Sequence, residues 1–162
     1  MPPHAHPHAP AIRWDGPQPA PKALFQLIHA NFPQTRNDGI YNDRDIAGTH
    51  TKSLHAEGRA LDIGLSVSRP NEKLIGDQLF AAFIETAGDA GFQELIWNHQ
   101  IWSTANPTIH AYHGHDPHTG HIHAGFTRTA SQQKVMPGSL VMQVAIIRTG
   151  LEDLARANAN VG

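Results

Sequence analysis

The chain has 162 residues, 12 Lys+Arg against 14 Asp+Glu, and no cysteine. That length fits one compact domain with a core of its own. Disulfide frameworks and cysteine-rich zinc sites are excluded, and the near-neutral charge lacks the basic field expected of a nucleic-acid binder. Histidine is the outlier, at 13 residues. Six of these, His110, His113, His115, His118, His121 and His123, are crowded between positions 110 and 123. Such an excess points to a metal site, a proton relay or a chelating tract.

Residues 1–21 are rich in proline and carry His4, His6 and His8, with no apolar periodicity. They read as an extended arm without an export signal, since no basic start and no apolar stretch are present. A helix is expected over 22–31, with Leu24, Leu27 and Ile28 on one face. Residues 33–54 are polar and irregular, as in a binding loop. A short strand is expected over 60–65, and its period of two puts Leu61, Ile63 and Leu65 opposite Asp62. A second helix is expected over 71–90, with Leu74, Leu79, Phe80, Phe83, Ile84 and Ala87 as its apolar stripe and Gly91 as its stop. Residues 94–97 and 101–103 read as a hairpin, followed by a histidine-rich loop and a strand over 122–127. The last helix, over 139–157, repeats Leu140, Val144, Ile147, Leu151 and Leu154 at alternating spacings of four and three. It is expected to pack on the domain rather than form a coiled-coil seam to a partner. These elements amount to an α+β fold, a small antiparallel sheet with flanking helices. The division is an arm over 1–21, a central domain over 22–137 and a C-terminal helix over 138–162. No apolar run approaches the ~20 residues of a membrane span.

Two separated strings carry the chemistry. The first, 53–62, reads S-x-H-x-x-G-x-A-x-D, with His55 in a loop, Gly58 able to turn the chain back and Asp62 on a strand. The second is His118-x-x-His121-x-His123, whose last two histidines share one face of a strand. A hydrolytic zinc site needs three protein ligands and an open position, and histidine with carboxylate supplies such a set.

Together these strings resemble the zinc metallopeptidases of the D-alanyl-D-alanine carboxypeptidase, murein endopeptidase and hedgehog-like superfamily. The segment I-W-N-x-x-I-W-S at 96–103 is similar to that of actinobacterial and actinophage members. The resemblance covers roughly residues 36–127. It implies Zn²⁺ held by His55, Asp62 and His123, and hydrolysis of an amide in peptidoglycan stems or cross-bridges. It also implies an arginine upstream of the first ligand as a partner for the developing oxyanion, Arg44 first and Arg36 second. Many members place an acid three residues before the last ligand, where this chain has Gly120. The H-x-x-H-x-H spacing resembles instead the penicillin-insensitive murein endopeptidases, so His121 or His118 is expected to move the proton, with Asp116 as a weaker choice. Ser53, Arg36 and Trp97 are candidate substrate contacts. His29, His50 and His99 are expected to have no chemical role.

The expected partner is a peptidoglycan peptide, acted on by a monomer made in the cytoplasm, as a phage lysin or virion-associated hydrolase would be. Two other classes compete. One is a zinc-stabilised module that holds peptidoglycan without cutting it. The other is a DNA-nicking enzyme using the His-hydrophobic-His string, which would need a catalytic tyrosine and a basic surface, and would leave the first string without a role.

Overall fold

A computed structural model of the chain describes residues 16–162. Six strands form one antiparallel sheet in the order β1-β2-β6-β3-β4-β5. They are β1 Arg36–Gly39, β2 Ala60–Gly64, β3 Phe92–Trp97, β4 Gln100–Ser103, β5 Asn106–Ala111 and β6 His121–Phe126. The helices are α1 Pro19–Asn31, α2 Pro70–Glu85, α3 Ala87–Ala90 and α4 Gly138–Ala159. The α+β architecture is that expected from the apolar periodicities. Among the described residues no helix is long and apolar enough to cross a membrane.

Alternation along the strands divides the sheet into two faces. Leu61, Ile63, Leu95, Trp97, Ile122, Ala124 and Phe126 turn to the helices and are buried with Leu24, Ile28, Leu79, Phe83, Leu140 and Val144 in one core. The opposite face carries Asp62, Glu94, Ile96, Ile101, Ser103, His121 and His123, and these line an open cleft. Covering one face only is what an antiparallel sheet permits, and it leaves the other for chemistry.

Several elements differ from expectation. α1 begins at Pro19 rather than 22, because Pro21 is tolerated in a helix's first turn. The irregular segment holds strand β1, which lacks apolar residues and so gives no periodic signal. The histidine-rich segment begins with β5, an edge strand exposed almost throughout, whose polar residues and Pro107 suit an edge. The second helix divides at Thr86, whose hydroxyl donates to Ala82 O at 2.8 Å. In α2 Ile75 is buried whereas Leu74 is exposed, so the stripe starts one residue later than read. α4 packs on α2 and α1 through Leu140, Val144 and Ile147, but Leu154 faces outward. Most of the expected N-terminal arm, with His4, His6 and His8, lies outside the described residues.

Candidate metal centre

The strand register supplies half the site. Asp62 on β2 lies directly opposite His123 on β6, and Gly64 opposite His121. Both acidic and imidazole side chains therefore rise from neighbouring strands on the same face. His55 comes from above, on a 3-10 turn over Leu54–Glu57. Ser53 caps this turn, its Oγ accepting from Ala56 N at 3.3 Å. Gly58 closes it at φ 65°, donating its N–H to His55 O at 3.0 Å. A Cβ at Gly58 would also collide with the Gly16 carbonyl, so glycine is required there twice over. Gly125 on β6 lets the turn settle on the sheet, because a Cβ there would meet Leu54 Cδ1.

Below the turn, an ion cluster holds it down. Arg59, fully buried, pairs with Glu57 and donates to the Phe126 carbonyl and, at 2.7 Å, to Gln93 Oε1. Arg128 Nη2 donates to Glu57 Oε1 at 2.7 Å. Burial alone would raise the Glu57 carboxyl, and the two guanidiniums outweigh it.

The three donors converge. His55 Nε2 lies 3.1 Å from Asp62 Oδ1 and 3.2 Å from His123 Nδ1, and His123 Nδ1 lies 3.1 Å from Asp62 Oδ1. Zn–N and Zn–O bonds of about 2.0–2.1 Å in a tetrahedron put ligand atoms about 3.3 Å apart. Each second ring nitrogen has an oxygen beside it. His55 Nδ1 donates to Ile40 O at 3.0 Å, and His123 Nε2 is 3.1 Å from Glu94 Oε1. Metal-binding histidines are commonly oriented in this way, one by a backbone carbonyl and one by a carboxylate.

The electrostatics also favour a cation. Burial would depress His123, but Asp62 and Glu94 together raise it to about 9. Burial would likewise raise Asp62, and His123 and His55 hold it well below the usual carboxylate range. Without a metal, a proton on His123 supplies the positive charge that two carboxylates and an imidazole surround. Two carboxylates and two neutral imidazoles match a divalent ion in charge, and their N/O donors suit zinc. The residues present fit the group.

Beside this centre lie two more imidazoles. His121 Nε2 is 3.7 Å from Asp62 Oδ1. The His118 ring is 4.7 Å from that of His121 and 5.8 Å from that of His123. His118 is buried, and burial with the neighbouring His123 and His121 pushes it down to about 4, so it is neutral. The cleft, of about 870 Å³, is also lined by Arg44, Ser53, His110, Tyr112, His113 and His115. Burial, with Glu94 and Asp116 nearby, pushes the Tyr112 hydroxyl up to about 12.

Of the expected site residues, His55, Asp62, His123, His121, His118, Arg44 and Ser53 come together in this cleft. Two do not. Trp97 faces the helices, its ring against Gly76 and its Nε1 donating to Asp77 Oδ1 at 2.9 Å, because beyond the register shift at Phe92/Glu94 it alternates with Glu94 and Ile96 and points into the core beside Leu95. Arg36 sits on edge strand β1 and pairs with Glu72 at 3.5 Å, outside the cleft lining. No motif in the sequence marks Glu94. The available signal was an acid alternating with Leu95 and Trp97 inside an apolar strand.

Residues 13–123 match the family described as VldE, C-terminal domain. The chain belongs to that family. The matched segment includes His55, Asp62, Glu94, His118, His121 and His123, and stops before α4. No curated protein and no solved structure matches the chain.

Proposed function

We propose that this domain is a zinc-dependent hydrolase that cleaves an amide bond in the peptide part of peptidoglycan. The observation that carries the metal half of this reading is the convergence of His55, Asp62 and His123 within 3.2 Å of one another at the floor of an open cleft. The substrate half rests on the similarity of the two strings to cell-wall peptidases. Synthesis in the cytoplasm and action on the wall, as by a phage lysin, is part of the same proposal.

Bound Zn²⁺ would polarise the scissile carbonyl and make the attacking water more acidic. The chain's own residues then have distinct tasks. His121 borders the donor set and accepts the proton from the attacking water, later giving it to the leaving amine. His118, pushed down to about 4 by burial and by His123 and His121, is the second choice for that step. It packs against His121 and adds no charge beside the cation. Glu94 approaches the nitrogen of His123 that faces away from the donors, so it orients the ligand rather than acting as base. Arg44, on the cleft wall, offers the positive partner for the developing oxyanion.

The test is digestion of purified peptidoglycan by the zinc-loaded chain, with mass spectrometry of the released peptides. Cleavage should generate a new amine and a new carboxylate at one bond type. Asp62→Ala should lose metal and cleavage together. His121→Gln should keep the metal and lose cleavage by ~10²-fold or more. A chain holding one equivalent of zinc that cuts no bond in any wall chemotype would overturn the hydrolase reading in favour of a non-catalytic zinc-stabilised module.

A further inference from the structure

We propose that Asp116, His118 and His121 form a second divalent-cation site, adjoining the first and opening into the same cleft. One donor atom from each of the three lies within 4.8 Å of the others. The donor set, two imidazoles and a carboxylate, repeats that of the first centre and suits borderline ions such as Zn²⁺, Co²⁺ and Cu²⁺.

Its histidines are aimed by the backbone. His118 adopts φ 56°, in the left-handed region that a residue with a Cβ enters at a cost. The conformation is held because Asn98 N donates to His118 O and His99 N to Pro117 O, both at 2.9 Å. The loop is thereby stitched to the β3–β4 turn. His118 Nδ1 donates to Asp116 O at 2.6 Å, which leaves the Nε2 lone pair of the neutral ring for a ligand. This is the tautomer control seen at metal-binding histidines. Asp116 also accepts from His118 N, at 2.9 Å through Oδ1.

Asp116 is exposed, whereas every donor of the first centre is buried or half-buried, so an ion must order a solvated carboxylate to complete the second set. The second site is accordingly weaker than the first. The two are neighbours, since His121 Nε2 lies 3.7 Å from Asp62 Oδ1. An ion here occupies the lone pairs of His118 and His121. Excess metal then inhibits the reaction, a consequence that rests on the hydrolase reading, whereas the site itself does not.

The experiment is Co²⁺ titration of the full chain, followed by calorimetry and by electron paramagnetic resonance. Two classes of binding are expected. Asp62→Ala should remove the tighter class. His118→Ala and Asp116→Asn should each weaken the second class at least 10-fold while the tighter one persists. With both sites filled, the two cobalt ions should couple magnetically, as paramagnets at adjoining sites do. A second class unchanged in both variants, or filled without coupling, would place the extra ions on other histidines and overturn the proposal. Asp116→Asn, on an exposed loop, keeps the test valid should His118→Ala fail to fold. In a parallel assay, peptidoglycan cleavage should fall over the zinc range that fills the weaker class. An absence of cleavage at all zinc levels would count against the hydrolase reading and leave the cobalt result standing.

Discussion

His123 is the residue on which the electrostatics of the centre turn. Its proton is retained to about 9 because Asp62 and Glu94 flank it. A metal must displace that proton. Metal affinity should therefore rise with pH through neutrality and level off near 9, rather than above an ordinary histidine value of about 6.5. Competition with a chromogenic chelator from pH 6 to 9.5 reads this directly. A plateau already reached at pH 7 would contradict it. The sign of the metal-free stability follows from the same shift. A histidine raised in the folded state stabilises fully below its unfolded value of about 6.5, and that contribution is lost as pH rises through about 9. The depressed Asp62 acts oppositely, stabilising above the usual carboxylate value of about 3.9 and losing this as pH falls. Glu94 tests the orienting role. Glu94→Gln should lower zinc affinity about 10–100-fold while secondary structure is kept. The same substitution should move the affinity plateau to lower pH, since His123 loses a carboxylate partner. A plain packing residue would leave that plateau in place.

At the scale of elements, the site is a meeting of a strand pair and a short turn. The pair β2–β6 is specified by alternation, because a one-residue slip would send Asp62 or His123 into the core. The 3-10 turn has little core of its own, and depends on Ser53 as its cap, on Gly58 as its stop and on the Arg59–Glu57–Arg128 cluster. Gly58→Ala must adopt a left-handed conformation and also meets the Gly16 carbonyl. It should cost about 1–3 kcal/mol in urea unfolding. Zinc affinity should fall with it, because His55 lies within the distorted turn. Loss of stability with unchanged affinity would show that the turn does not transmit strain to the ligand. The loop that aims His118 is set in a comparable way, by backbone bonds to the β3–β4 turn at Asn98 and His99, both at positive φ.

For the whole molecule, the core and the centre occupy opposite faces of one sheet. The fold is thus expected to form without the metal, unlike a zinc finger. Chelation should leave the far-ultraviolet circular dichroism spectrum at 20 °C unchanged. It should still lower Tm, because an ion at 100 times its Kd stabilises by about 2.7 kcal/mol. For a domain of this size that is on the order of 5–10 °C. Global unfolding on chelation would mean that the metal centre carries the fold. α4 adds to the core through Leu140, Val144 and Ile147, with Leu151 half-buried against it and the residues after Leu151 exposed.

The sequence by itself determined the fold class, and the resemblance of its two strings to a known pattern implied the three donors. Apolar periodicity marks β2, β6, α1 and α2, and two motif strings with a period-two strand put Asp62 and His123 on one face. These features are local, so they survive without knowledge of what lies across the chain. Only the tertiary structure decided the rest. Strands β1 and β5 have polar, exposed sequences that resemble loops until a neighbour pairs with them. Trp97 and Glu94 are three residues apart on one strand, and register alone sends one to the helices and the other to His123. Arg36 had the right charge, but the edge position of β1 puts it beside Glu72 instead of in the cleft. The coupling of His118 to Asp116 and His121 arises from a left-handed residue fixed by long-range backbone bonds, a constraint that no local pattern encodes.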